Sequence, residues 1–544
     1  MNGLMMETPL LVTGIMRHAE RNHPKGEVVS VTVDAPRHRC TYVDVFRRAR
    51  QLANALEAAG VREGDRVGTL AWNDHRHLEL YFAVSCMGAV LHTVNPRLFP
   101  EQVEFIINHA EDRLLFVDPA LLALPLTLGD KLKTVRRTIV LTSDAAMPAA
   151  TAGKFESYEA FIAGQPDEYD WPTLDEGAAC SLCYTSGTTG NPKGVLFSHR
   201  STVLHAYAGC LPDALGLSRR ETILAVVPMF HANAWGLPYN APIVGAKLVF
   251  PGPKMGDPAT LVALIEEEGV THAAGVPTVW TGLLNYLDET GKRLPTLRRT
   301  LVGGSAVPVK MIRDFEQKHG IVVQQGWGMT EMSPVGTVNS YVPDGDEPAE
   351  ETWRKRALQG RAVFGVEMKV VDEQNRELPW DGVATGELKV RGPWVCSGYF
   401  GLDTSAAHDS DGWFATGDVA AIDVDGYLHI TDRAKDVIKS GGEWISSVDM
   451  ENCACGHPDV LMAAAIGVRH PKWDERPLLI VVARQGRVPA RDSVLAHIAR
   501  HFAKWQLPDD VVLAESIPLT ATGKIDKKRL REQYRNHLMQ ANAG

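Results

Sequence analysis

Residues 184–194 read Tyr184-Thr185-Ser186-Gly187-Thr188-Thr189-Gly190-Asn191-Pro192-Lys193-Gly194. An apolar run leads into this stretch, which packs hydroxyls, glycines and one lysine into a single loop. Glycines let backbone N–H groups approach phosphate oxygens, hydroxyls donate further hydrogen bonds, and Lys193 adds a point charge. It is not a Walker A loop, because Pro192 stands where that pattern needs glycine and Gly194 follows the lysine in place of Ser or Thr. A plain Gly/Ser/Thr linker would lack the apolar lead-in and the embedded Pro-Lys-Gly.

Outward from the loop, apolar helices and short strands alternate. Val43, Val45, Phe46, Ala49, Leu52, Ala53 and Leu56 recur at helical spacing within residues 41–60, with Gly60 placed to end the helix. Residues 65–72 read as a strand and 78–87 as a buried helix. The same rhythm recurs as strand 246–250, helix 258–268 and strand 271–274, which predicts parallel sheets covered by helices. From about Gly360 the pattern changes to short strands at 363–371, 386–390 and 420–430, separated by the turns Asp381-Gly382, Asp411-Gly412 and Asp425-Gly426. The expected fold class is α/β. A large N-terminal domain of helix-covered sheets spans residues 1–431, including a small β-rich subdomain at about 340–431. The charged stretch at 432–435 links it to a small α+β domain at 436–544.

Composition narrows the function. The chain has 544 residues, 45% hydrophobic and 22% charged, which excludes a disordered protein and permits several cores. A formal charge of −10 argues against a general nucleic-acid binder. Eight cysteines in so long a chain form no disulfide scaffold, and reduced thiols suit a cytoplasmic protein. Cys180 and Cys183 have zinc-like spacing but no second pair at finger distance, and read as small apolar residues on a buried strand. Residues 4–16 are interrupted by Glu7 and Pro9 and lack a basic lead, so no secretory signal is expected. No apolar run is long enough to span a bilayer.

Seven further motifs follow the loop. In order they are Pro228-Met229-Phe230-His231, Gly303-Gly304-Ser305, Gln325-Gly326-Trp327-Gly328-Met329-Thr330-Glu331, Thr416-Gly417-Asp418, Asp432-Arg433-Ala434-Lys435-Asp436, Lys439-Ser440-Gly441-Gly442-Glu443 and Thr522-Gly523-Lys524. Together they resemble the adenylate-forming acyl-CoA synthetases of the ANL superfamily, which share a fold with firefly luciferase and peptide-synthetase adenylation domains. The resemblance extends from about Thr41 to Arg529. It is closest to bacterial medium- and long-chain fatty-acid–CoA ligases and to the ligases for 3-methylmercaptopropionate.

The resemblance implies a two-step reaction. A carboxylate attacks the α-phosphorus of MgATP to give acyl-AMP and pyrophosphate, and the thiol of coenzyme A then takes the acyl group and releases AMP. It implies a nucleotide site made of Thr185, Ser186, Gly187, Thr188, Thr189, Gly190, Lys193, Gly303, Gly304, Ser305, Gln325, Gly326, Trp327, Gly328, Met329, Thr330, Asp418 and Arg433. Trp327 stands where the family usually has tyrosine, which exchanges a hydroxyl for an indole N–H. Thr185 and Glu331 would contact Mg2+, a hard cation that prefers oxygen ligands. Lys524 would bridge the substrate carboxylate and the α-phosphate, offsetting the repulsion between two anions. Thr185, His231, Glu331 and Lys524 make the expected catalytic set.

His231, Trp235 and Gly303 would line the acyl pocket, with Trp235 as its gate. The small C-terminal domain would be mobile, turning about Lys435 so that Lys439, Gly441, Gly442 and Glu443 meet coenzyme A. The related dimeric ligases suggest a homodimer. Read alone, several of these residues have plainer roles. Lys524 is a solvated tail lysine, Glu331 a helix N-terminal acid, Asp418 the closure of a turn, His231 a core histidine, and Ser440-Gly441-Gly442 a hairpin turn.

An ATP-dependent acid–CoA ligase acting on a medium- or long-chain fatty acid is therefore expected. A ligase for 3-methylmercaptopropionate or another short acid is the alternative substrate class. An enzyme that loads a carrier protein is the alternative activity, although no carrier domain follows Lys524. A luciferase-like oxygenase needs a specialised substrate that nothing in the sequence favours. The full set of motifs disfavours a non-enzymatic nucleotide binder.

Overall fold

The computed structural model describes residues 1, 3–151, 153–185, 191–343, 345, 347–402, 408–440, 443–470, 473–520 and 524–541. Two large sheets carry most of the chain. In the first, the parallel strands Val322–Gly328, Arg299–Val302, His272–Gly275, Thr222–Ala225, Lys247–Phe250 and Glu27–Ser30 lie side by side in that order. Antiparallel strands Val335–Val338 and His38–Thr41 flank them. In the second, Glu156–Ser157, Arg137–Val140, Leu114–Val117, Arg66–Leu70, Val90–Thr93 and Ala179–Tyr184 are parallel, and Gly194–Ser198 returns antiparallel beside Ala179–Tyr184.

Alternation along each strand sorts side chains between cores. Val28, Ile223 and Leu248 of the first sheet share one core with Val67, Leu91 and Leu114 of the second. Their neighbours Val29, Leu224 and Val249 face a separate core under the helices Pro258–Glu268 and Pro277–Thr290. Helix His75–Cys86 is buried along its whole length in the shared core. Helix Tyr42–Ala58 starts where Thr41 and Asp44 form a capping box, and it places Val45, Phe46, Ala49 and Leu52 in that core. Val43, expected on the apolar face, is exposed.

A third, antiparallel sheet is made of Glu367–Val371, Gly386–Arg391, Phe414–Ile422 and Leu428–Arg433. Two expected strands change here. Residues 363–371 break at Gly365, whose φ of +110° and contact with the Trp394 ring end the extended run, so the strand begins at Glu367. Residues 420–430 form a hairpin instead of one strand: Asp423 accepts from the backbone of Asp425 and Tyr427, and Gly426 turns at φ +81°. A fourth sheet holds Glu443–Ile445, Ile438–Ser440, Asp474–Ala483 and Val460–His470, with Asp510–Ala514 parallel to Asp474–Ala483. The architecture is α/β, with a large N-terminal part of three sheets and a smaller C-terminal part around the fourth. Cys180 and Cys183 lie buried on Ala179–Tyr184. Among the described residues no helix is long and apolar enough to cross a membrane.

Candidate active site

A cavity of about 280 Å³ opens at the end of the first sheet, and Thr520, Lys524 and Ile525 of the C-terminal tail line part of it. It gathers Thr185, His231, Trp235, Gly303, Gly304, Gly326, Trp327, Gly328, Met329, Thr330, Glu331, Arg433, Lys435 and Lys524. These residues are up to 339 positions apart (524 − 185) in the chain. Strand Val322–Gly328 carries the glycines and Trp327 to the mouth. A side chain at Gly328 would overlap the Pro334 carbonyl, and the Trp327 ring lies where a Cβ on Gly336 would stand.

One wall is polar. The Trp327 indole donates from Nε1 to Asp418 Oδ2 at 2.9 Å, and Arg433 Nε meets Asp418 Oδ1 at 2.7 Å. Burial pushes the Asp418 carboxyl above the usual aspartate range, while Arg433 and then the Trp327 N–H draw it back. Glu331 is buried, and its Oε1 accepts the Tyr399 hydroxyl at 2.8 Å. The Lys193 ammonium lies 4.8 Å from the centre of the same Tyr399 ring. Thr185 and Lys193 close the base of the 184–194 loop: Thr185 N–H donates to the Lys193 carbonyl at 2.9 Å, and Lys193 N–H donates to Thr185 Oγ1 at 3.2 Å.

The opposite wall is apolar, with Ala232, Trp235, Leu301, Val335 and Val338. The loop that delivers His231 and Trp235 is held by two buried asparagines. Asn73 donates to the carbonyls of Ala225 and Val227 at 3.0 and 2.8 Å and accepts from Met229 N–H at 2.6 Å. Asn233 donates to Ser181 Oγ at 3.0 Å. Ala232, Asn233, Ala234 and Trp235 all have left-handed backbone, with φ between 42° and 57°. The Trp235 ring then lies 3.3 Å from where a Cβ on Gly303 would stand. Burial, helped by Lys524 and Arg97, pushes the His231 imidazole down to about 4. His231 is therefore neutral at pH 7 and can donate or accept a hydrogen bond, but it is not a proton reservoir.

Lys524 reaches the cavity from the C-terminal part. Thr520 holds its turn, donating its N–H to the Lys524 carbonyl at 2.7 Å and accepting Lys524 N–H on Oγ1 at 3.2 Å. Burial lowers the Lys524 ammonium to about 8, with Arg433 and Lys435 adding repulsion and Asp418 and Glu331 opposing it. A cation of lowered pKa beside buried carboxylates, in a cleft with one polar and one apolar wall, suits an anion joined to an apolar group.

Residues 16–400 match the AMP-binding enzyme family, and residues 449–524 match the AMP-binding enzyme C-terminal domain. The chain belongs to the AMP-binding enzyme family. This AMP-binding enzyme is 48% identical over 539 residues to a 3-methylmercaptopropionyl-CoA ligase of Ruegeria lacuscaerulensis, covering 99% of this chain and 100% of the relative. It is 49% identical over 538 residues to a long-chain-fatty-acid–CoA ligase of Thermus thermophilus, covering 98% of this chain and 97% of the relative. Its fold is similar to the crystal structure of the anthranilate CoA ligase AuaEII in complex with anthranoyl-AMP. That match has a TM-score of 0.86 and 25% identity, and covers 99% of each chain.

Other expected site residues are not in the lining of this AMP-binding enzyme's cavity, among them Asp418, which sits behind Trp327 and Arg433, and Lys193. Ser305 is exposed, and Gln325 is buried with its Oε1 unpartnered; neither is among the lining residues. Lys439 is exposed on Ile438–Ser440, where its backbone N–H donates to Glu475, and Glu443 opens the paired strand Glu443–Ile445. Ser186, Gly187, Thr188, Thr189, Gly190, Gly441, Gly442, Thr522 and Gly523 lie outside the described residues. Three contributors were missed in the sequence: Tyr399, which orients Glu331; Arg97, whose charge bears on His231; and Thr520, which shapes the Lys524 turn. Only Thr520 had a sequence signal, its place just ahead of the Thr-Gly-Lys motif.

Proposed function

We propose that the chain joins a carboxylic acid to coenzyme A in two ATP-dependent steps, through an acyl-adenylate and with release of AMP and pyrophosphate. The observation that carries this reading is Lys524 in one cavity with Thr185, Trp327, Glu331 and Arg433. In the proposed pose, adenine lies against Trp327, and the ribose hydroxyls donate to Asp418, displacing or sharing the bonds from Trp327 and Arg433. Lys524, in its ammonium form, sits between the acid carboxylate and the α-phosphate. One well-placed donor of this kind is worth about 3–4 kcal/mol at the transition state. His231, held neutral, hydrogen-bonds near the carboxylate end of the acid.

Mg2+ fits the donors present. Glu331 offers a buried carboxylate whose orientation Tyr399 fixes, and Thr185 offers a hydroxyl, both hard oxygen ligands. When bound, the ion would neutralise phosphate charge. The second step is assigned to a C-terminal part that turns about Lys435, bringing Lys439, Gly441, Gly442 and Glu443 to coenzyme A. The linker position of Lys435, after the third sheet ends at Arg433 and before the fourth begins at Ile438, supports this assignment.

The proposed acid is a medium- or long-chain fatty acid, on the strength of the apolar wall and of the likeness to a long-chain ligase. The equal likeness to a 3-methylmercaptopropionyl-CoA ligase favours that short, sulfur-bearing acid as the second reading. A cytoplasmic site is proposed because all the cysteines are unpaired. A homodimer is proposed by resemblance to the dimeric ligases, and light scattering on the purified chain checks it. A panel of acids from three to eighteen carbons, with 3-methylmercaptopropionate among them, tests the reading. Pyrophosphate exchange should need an acid, and net AMP release should need free coenzyme A. Exchange without AMP release upon addition of coenzyme A would point to a carrier-protein acceptor.

A further inference from the structure

Neighbouring residues on a strand point to opposite faces, and the end of Leu428–Arg433 uses both. Arg433 lines the cavity and pairs with Asp418. Asp432 is 1% exposed and meets the C-terminal part instead. Its Oδ2 accepts the backbone N–H of Ser447 at 2.7 Å and the Ser447 hydroxyl at 2.6 Å. Ser447 is the first residue of helix Ser447–Cys455. The same hydroxyl accepts a bond from Lys527 Nζ at 2.5 Å, and Lys527 also pairs with Glu451 Oε1 at 2.8 Å. Glu451 Oε1 accepts Ala465 N–H at 2.9 Å, which roots the cluster in the fourth sheet. Lys527 begins helix Lys527–Gln533, three residues beyond Lys524.

A buried strand end, a helix start and the tail that carries the cavity lysine are thus joined through one serine hydroxyl. Burial works against the Lys527 charge, and Glu451 and Asp432 more than offset it, so the ammonium is held above the ordinary lysine range. A joint needed only for stability would be as good or better in apolar residues, because desolvating charges costs what their attraction returns. A directional polar joint fixes where the tail sits.

We propose that Asp432 is a positioning residue for acid activation, acting through Ser447 and Lys527 to set the place of Lys524 in the cavity. This rests on the role given to Lys524 above. Arg531 meets Asp436 at 2.7 Å within the C-terminal part, just past the linker, and so does not tie that part to the third sheet as Asp432 does. A loosened tail slows the step that needs Lys524 and spares the step that does not.

The two half-reactions, measured separately on the full-length chain, test this. Acid-dependent pyrophosphate exchange is followed with octanoate, or with the panel's most active acid, and thioester formation is followed from the matching synthetic acyl-AMP and coenzyme A. Asp432→Asn should lower exchange roughly ten- to a hundredfold, the range for losing hydrogen bonds to a charged group, with KM for ATP within about threefold. Thioester formation should stay within about threefold of wild type. Lys527→Met should behave alike, and Lys527→Arg should recover part of the exchange. If Asp432→Asn does not fold, Ser447→Ala cuts the bridge while keeping every charge and carries the same comparison. Equal losses in both halves would overturn the proposal in favour of a general structural role. Unchanged exchange in Asp432→Asn, alongside lost exchange in Lys524→Ala, would overturn it and leave the proposed function standing. If Lys524→Ala itself keeps full exchange, the function reading fails and takes the proposal with it.

Discussion

Asp418 and Asp432 are both buried aspartates on strands that pair with each other, and burial raises both carboxyls above the ordinary range. Their partners differ. The donors to Asp418, Trp327 and Arg433, line a cavity that a ligand can enter, so these bonds can be exchanged for bonds to a ligand. Asp432 takes the N–H and hydroxyl of one serine at a helix start, and nothing replaces those donors unless the helix moves. Burial and a raised pKa therefore do not separate a binding carboxylate from a tethering one. Whether its donors face open space or another packed element does.

The two regions separate most clearly at Lys524, which both serve. Lys524→Ala should reduce acid-dependent pyrophosphate exchange about 10²- to 10³-fold and leave thioester formation from supplied acyl-AMP nearly intact; rapid-quench measurement of each half gives the ratio. Asp418→Ala should raise KM for ATP on the order of 30- to 100-fold by removing two charge-assisted acceptors, whereas the tether variants leave that KM almost unchanged. A matching rise in Asp432→Asn would erase the distinction between the two carboxylates.

The pH profile is the third test. Lys524 titrates near 8 in the free enzyme, so it is charged below that pH and neutral above it. The kcat/KM for exchange should be flat on the acid side and fall about tenfold between a neutral plateau and pH 9, and Lys524→Arg should lose that descending limb even at a lower rate. Next in size, Trp235→Ala should shift preference toward longer acids by about fourfold for each methylene newly accommodated, near 0.8 kcal/mol each, in a competition assay. The smallest effect is expected for Trp327→Phe, which keeps a smaller aromatic ring and removes the donor to Asp418. KM for ATP should rise about threefold, and a much larger rise would mean that the indole N–H, more than the ring, sets nucleotide binding.

Local motifs made much of the site legible in the sequence. Gly326, Trp327, Gly328 and Glu331 sit on one strand and the turn after it, so their order along the chain is nearly their order in space. The alternation of helices and strands likewise gave the parallel sheets, because each element has its own apolar period. What could not be read was side-chain direction between distant segments. Nothing near Tyr399 indicates that its hydroxyl meets Glu331, 68 residues earlier, or that Asp432 and Lys527 share Ser447. Gln325 belongs to the same motif as Trp327 and, two residues away, to the same strand face, yet it is buried deeper in the packing and is not among the cavity lining. The strand expected at 420–430 is a hairpin between Phe414–Ile422 and Leu428–Arg433; the Asp425-Gly426 turn signal lies inside that range, with Asp423 and Asp425 breaking its apolar run.

The left-handed run from Ala232 to Trp235 has a thermodynamic consequence. Inverted handedness in L-residues costs about 1–2 kcal/mol per position, so the four together surrender on the order of 4–8 kcal/mol. That sum rivals the whole margin by which an ordinary domain stays folded, about 5–15 kcal/mol. Such a coil persists only because its surroundings overrule its own preference. Asn233, pinned to Ser181, and Asn73, gripping the three carbonyl and amide groups upstream, are the clamps that keep a mirror-image turn from springing back.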